Sequence, residues 1–189
     1  MDQFAEKLIH GRTHVSPKRI GLPGPTPAQL QKIILSASSA PDHGRLMPWR
    51  FIEIQKGSRE KLGAVFSLCL MDRDPEANTL QLQEAYEKAF RGPLLLLAVA
   101  NFENTNDEIS KEEKLISLGC AIQNILLIAY SMGFGSGLSS GRALQSQRIR
   151  NLFQLSVKEE PICFITIGTV IKHKPDRVRP SPSEYHSIF

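Results

Sequence analysis

The chain is short of the features that mark several common protein classes. It has three cysteines in 189 residues, at 69, 120 and 163, and none stands at metal-ligand spacing. An odd number of thiols set in apolar runs reads as small core residues in a reducing compartment, not as a disulfide framework. The N-terminal MDQFAEKLIH has neither the charged nor the apolar region of a signal peptide. The apolar runs PLLLLAVA and ILLIAY fall well short of the ~20 residues a bilayer requires. Together these absences predict a cytoplasmic protein with no membrane partner.

Charge of one sign is also modest. The net charge is +4 and the excess is scattered, apart from the tail segment IKHKPDRVRP. That segment reads as a solvated basic stretch, and no nucleic-acid partner is expected from it. No Walker sequence occurs, and GLSSG is no nucleophile elbow. His10 and His14 are a possible i, i+4 pair, but they straddle Gly11, so no metal site is expected.

What is present is an ordinary globular composition, 41% apolar and 22% charged. The length suits a single domain over 1–189, with 171–189 as a C-terminal arm without periodicity. Residues 2–10 form a short amphipathic pattern that stops at Gly11, and a Gly- and Pro-rich loop follows. Thr26, Pro27 and Gln29 make a helix start with a capping box, and Pro41 ends that helix. WRFIEIQ, from Trp49 to Gln55, alternates like a strand. Helical patterns follow from Ser58 and over 79–90. PLLLLAVANF (93–102) and PICFITIGTV (161–170) are apolar throughout, as central strands covered on both faces are. Ser110 and Glu113 suggest a second capping box, opening a helix that is apolar nearly all round from Leu118 onward. Such a helix belongs in a core or a dimer interface. Ser146 caps a short helix beginning SQRIRN. The predicted class is α+β in three layers.

Two stretches draw attention as candidate sites. GFGSGLSSG (133–141) is glycine-rich but follows a helix, whereas a dinucleotide fingerprint follows a strand. It reads either as a flexible joint or as a loop whose backbone approaches a flat ligand closely. SSAPDHGRLMPW (38–49) puts a stiff, His-bearing loop directly before the lone tryptophan, at a helix–strand junction.

Several segments in order resemble the short bacterial members of the nitroreductase family. HGRTHVS resembles the family's Arg-Arg-Ser loop, and APDHGRLMPWRF its Ala-Pro-Asp-His and Pro-Trp-His-Phe strings. RGPLLLLAVA and FITIGTV resemble its strands, and SLGCAIQNILLIAYSMGFGSGLSSG its interface helix with the Gly-Phe-Gly turn. The resemblance implies a central, mostly antiparallel sheet flanked by helices, in a homodimer with exchanged arms and FMN at the subunit interface. It further implies NAD(P)H as co-substrate and a small-molecule electron acceptor of nitro, quinone or enone type. The flavin carries the chemistry, and no side chain is assigned a catalytic acid–base role. The cofactor-binding positions implied are Gly11, Arg12, Thr13, Ser39, His43, Leu138, Ser139 and Ser140, with His43 expected at the flavin. Gly11 replaces the family's first Arg, and Ser139 and Leu138 replace Arg and Trp. Met47 and Arg50 replace the Gln and His that flank Pro-Trp. Lys172, Lys174, Arg177 or Arg179 are the cations available to compensate near the phosphate. The competing expectation is a degenerate dimer that binds or sequesters flavin without turnover.

Overall fold

A computed structural model describes residues 2–103, 108–174 and 178–189. Helix α1 spans Asp2–Gly11, one residue beyond the sequence expectation. A two-residue strand β1, Ile20–Gly21, lies inside the segment expected to be loop. Helix α2 (Pro27–Leu35) starts as its sequence predicts. Thr26 Oγ1 accepts from the Gln29 amide and Gln29 Oε1 accepts from the Thr26 amide. Strand β2 is Trp49–Glu53, and helices α3 (Arg59–Arg73) and α4 (Thr79–Glu87) follow. The α4 start carries a capping box between Asn78 and Gln81.

The sheet is built around β3 (Leu94–Asn101) and β5 (Glu159–Val170). The strand order is β1-β5-β3-β2, with strand β4 (Gly135–Ser139) also pairing along β5. All these pairings are antiparallel. Strand alternation divides the core in two. Leu94, Leu96, Ala98 and Ala100 face α2 and helix α5 (Lys111–Ser131), together with Cys163, Ile165 and Ile167 of β5. Leu95, Leu97 and Val99 face α3, with Phe164 and the short helix α6 (Gln147–Leu152). The β3 residues Leu94–Ala100 are all buried, which is why that strand reads as a continuous apolar run. The result is helix layers on both faces of one sheet, as expected.

α5 resolves its own ambiguous pattern. Lys114, Ser117, Leu118, Ala121, Ile122, Ile125, Leu126 and Ala129 are buried, a stripe at three- and four-residue spacing. Each fully buried Leu or Ile there contributes about 1.5–3 kcal/mol. Outside the stripe, Ile116 and Tyr130 are exposed. By length and composition α5 could cross a bilayer, which the short apolar runs had not suggested, but its inner stripe packs against the sheet. Its N-cap is half of the expected box. Ser110 Oγ accepts from the Glu113 amide, but the Glu113 carboxylate turns to His43.

The glycine-rich segment is the largest departure, being strand where a joint or loop was expected. Gly135 and Gly137 are needed because a Cβ at either would overlap other parts of the chain: the Val170 side chain at the first, the Val15 carbonyl at the second. Lone Trp49 is buried in the core beside α5.

Candidate functional site

The end of α1 gathers positive charge. Arg12 follows Gly11, and its side chain is half-buried, with Nε buried and without a partner among the described residues. Arg179, from the C-terminal arm, folds back on this helix end. Its Nη2 donates to the His10 carbonyl at 2.6 Å and to the Arg12 carbonyl at 3.2 Å. A helix C-terminus leaves such carbonyls without partners and favours a cation, so Arg179 is well placed there. Burial, then the Arg179 charge, lowers the pKa of Arg12. Burial, then the Lys174 and Arg12 charges, pushes the His14 pKa below its usual range. Among the described residues, no carboxylate forms an ion pair with Arg12, Lys174 or Arg179. A buried guanidinium N–H without an acceptor is costly unless a ligand supplies one. The cluster therefore suits an anion.

The chain then runs from this cluster along β4. The Val15 amide donates to the Ser136 carbonyl at 2.9 Å, and His14 bridges to Ser136. The Ser136 hydroxyl is buried without a partner among the described residues. The His14 ring lies against Gly137, where a Cβ would stand 3.1 Å from its Cε1. Gly137 pairs with Thr166 and Ser139 with Phe164, so 137 and 139 share one face of β4. Two residues of strand put them about 7 Å apart.

On that face opens a cavity of about 300 Å³. Its floor is apolar, formed by Phe66, Cys69 and Leu70 of α3, Leu95 of β3 and Phe164 of β5. Phe66 meets Phe164 edge-on, with ring centroids 5.6 Å apart. Pro17, Ser139 and Gly141 form part of its wall. Arg73, Lys88, Arg91 and Arg142 also line it, with no carboxylate among the lining residues. Burial lowers the pKa of Arg91, against the opposing pull of Glu84 and Glu87. The Arg12 cluster thus meets β4 at Ser136 through His14, and the cavity, with an apolar floor and a basic wall, meets it at Ser139.

The loop before Trp49 lies elsewhere. His43 Nδ1 is 2.8 Å from Glu113 Oε2, at the start of α5, and its side chain is 70% exposed. That hydrogen bond lowers the Glu113 pKa. The Met47 amide donates to Asp42 Oδ2 at 2.7 Å, and Gly44 turns with φ 72°, so the loop is braced locally. Gly11, by contrast, abuts Tyr130 at the far end of α5. At 1.5 Å per residue, Glu113 and Tyr130 are about 25 Å apart, farther than one flavin mononucleotide spans.

Within one chain, then, the structure joins Arg12 and Ser139 through His14 and β4, and it adds Lys174 and Arg179 from the arm. It does not bring Ser39 or His43 to them. Ser39 is exposed after α2, near where Asn124 Nδ2 donates to the Ser36 carbonyl. Thr13 is exposed between Arg12 and His14, and Ser140 is exposed beside Gly141. Leu138 pairs with Ile165 and so points to the face of β4 opposite the cavity, 37% exposed. Lys172 is exposed, and Arg177 lies outside the described residues. Arg50, which replaces the motif's His, forms a fork with the buried Glu159 at 2.5 and 3.1 Å. Gly11, which replaces the motif's first Arg, has the Tyr130 hydroxyl in the volume a side chain would fill. His14 and Tyr130 lie inside strings that resemble the family but are not among the implied cofactor positions, and the α3 wall of the cavity carries no motif. The only local hint was a histidine two residues past Arg12.

Residues 22–169 match the profile described as Nitroreductase family. The chain is 30% identical over 185 residues to the "Putative NAD(P)H nitroreductase YdjA" of Escherichia coli (strain K12), covering 97% of this chain and 98% of that protein. Among solved structures it is similar to the nitroreductase-like family protein from Bacillus cereus, with TM-score 0.81, 18% identity and coverage of 97% and 95%. It is also similar to an FMN-dependent nitroreductase from Clostridium difficile R20291, with TM-score 0.68, 20% identity and coverage of 96% and 98%. At such identities the structural likeness carries the fold alone.

Proposed function

The chain belongs to the nitroreductase family, a family of oxidoreductases, and on that premise we propose that it is an FMN-dependent enzyme oxidising NAD(P)H and reducing a nitro, quinone or enone acceptor. The observation that carries this reading is the Arg12 Nε, unpartnered among the described residues, in a cluster of cations joined by β4 to a cavity with an apolar floor and a basic wall. A dianionic phosphate satisfies the first and a planar ring the second, so the residues present fit FMN.

Bound there, FMN would supply hydride uptake from NAD(P)H and delivery of two electrons to the acceptor. The chain's own part is binding and electrostatics. Arg12, Lys174 and Arg179 hold the phosphate, and Arg12 offers it a forked donor. Phe66, Leu70 and Phe164 exclude water around the ring. Arg73 and Arg142 favour the negative charge that accumulates on the ring during reduction. No side chain of the cavity is assigned a proton-transfer role.

The same reading includes a homodimer. One chain holds the His43 loop about 25 Å along α5 from the Arg12 end. A second copy seated on the outer face of α5, where Ile116 is 65% exposed, would bring its own Ser39–His43 loop to the site.

The test is the colour of the purified protein after incubation with FMN and desalting. The expected result is a retained flavin absorption band that NADH or NADPH bleaches and an acceptor restores. A band that neither nucleotide bleaches would mark a flavin binder without turnover. A colourless protein would contradict the reading.

A further inference from the structure

We propose that the Tyr130 hydroxyl is a further ligand of the bound phosphate, occupying the place of the side chain that Gly11 lacks. The inference rests on the FMN reading above. Gly11 is the last residue of α1 and directly precedes Arg12. A Cβ there would overlap Tyr130 Oη, and the ring atom Cζ would be 3.0 Å from it. A side chain at position 11 and the Tyr130 phenol in its present position therefore exclude each other.

Tyr130 stands in the last turn of α5. It is 37% exposed, and its hydroxyl forms no hydrogen bond among the described residues. The phenol thus ends at the point of α1 where Arg12 and Arg179 converge, with an O–H free to donate. A neutral donor suits this place. Arg12 is already disfavoured as a cation by burial and by Arg179, and His14 by burial, then by Lys174 and Arg12. Another fixed cation would add repulsion in the empty site, whereas a phenol adds a hydrogen bond without charge.

The test compares FMN with riboflavin, which has the same ring and no phosphate. Both are titrated into the apoprotein, with flavin fluorescence as the readout, for the parent and for Tyr130→Phe. Phe keeps the ring that packs on Gly11, so the fold is retained, and a melting curve checks this. The expected result is an FMN affinity lower by about tenfold, the weight of one hydrogen bond to a charged group, with riboflavin affinity unchanged. Unchanged FMN affinity would overturn the proposal. An equal loss for both flavins would overturn it too, since it would mark a packing or interface role. If the parent binds neither flavin, the FMN reading itself falls, and this inference with it.

Discussion

Two arginines, Arg59 and Arg12, show how differently two regions of this molecule use the same side chain. Arg59, at the start of α3, is 4% exposed, and each of its three nitrogens has an acceptor. It donates to the Ala89 carbonyl at 2.7 Å, to Ile54 at 3.1 Å, to Pro93 at 3.2 Å and to Gly92 at 3.3 Å. It ties the approach to β3 to the start of α3, with every nitrogen engaged by backbone carbonyls. Arg12, at the end of α1, keeps a buried N–H with no acceptor and like charges for neighbours. Burial alone does not separate a structural cation from a binding one. What differs is that Arg12 keeps a buried nitrogen with no acceptor among the described residues, which suits an anion, whereas each Arg59 nitrogen has one.

The largest effect that would break this contrast is on stability. Arg59→Met strands several carbonyls at once and should cost about 3 kcal/mol, since a buried acceptor left unpaired costs about 1–3 kcal/mol. At about 2–4 °C per kcal/mol for a chain of this size, thermal unfolding would show it plainly. A melting curve unchanged from the parent would mean that those hydrogen bonds do not hold the fold.

Arg12→Ala should do the opposite. Its apoprotein should melt at or above the parent's temperature, because a desolvated and repelled charge is removed. Its FMN affinity should fall by about 1.5–3 kcal/mol, the range for a charged hydrogen bond. Fluorescence titration measures this, and retained affinity would move the phosphate role to Lys174 and Arg179.

A smaller effect should appear in pH dependence. The His14 pKa is lowered in the folded apoprotein from its ordinary 6.5, chiefly by burial. The unfolded chain therefore binds more protons, so the His14 contribution is complete above pH 6.5 and is lost as pH falls below it. A phosphate beside the ring favours the imidazolium, so FMN binding should be accompanied by proton uptake at His14. Comparing affinity–pH profiles of the parent and His14→Gln isolates this, because the phosphate's own titration is common to both. Superimposable profiles would remove His14 from the site.

The smallest effect is expected at the other end of α5. His43→Ala breaks an exposed ion pair and should barely move the melting curve. If a second copy does bring this loop to the flavin, the variant should nevertheless weaken FMN binding. A substantial melting loss with unaltered FMN affinity would make the histidine a structural brace of α5.

These contrasts follow what was legible in the sequence. β3 and β5 were plain as two-sided apolar runs, and Thr26–Gln29 marked α2, because those signals are local. β4 was not, since its glycines answer to Val15, His14 and Val170, which arrive from distant parts of the chain. Arg12 was visible through its motif, but its lack of a partner was not. The cavity was illegible for a similar reason, as its wall joins α3, β3, β5 and the segment after β4. His43 stood out for its setting in a stiff loop, yet the residue it meets, Glu113, lies 70 positions away. The same Glu113 had been assigned to the helix cap. Long-range partners decide such competitions, and a motif does not record them.

The central claim is that the Arg12 end of the site holds the phosphate of FMN while the cavity beside Ser139 holds its ring. A crystal structure of the protein with FMN tests it most directly. The account predicts a phosphate oxygen within hydrogen-bonding distance of Arg12 Nε and the ring over Phe66 and Phe164. A phosphate bound elsewhere, with Arg12 Nε still lacking an acceptor, would contradict it.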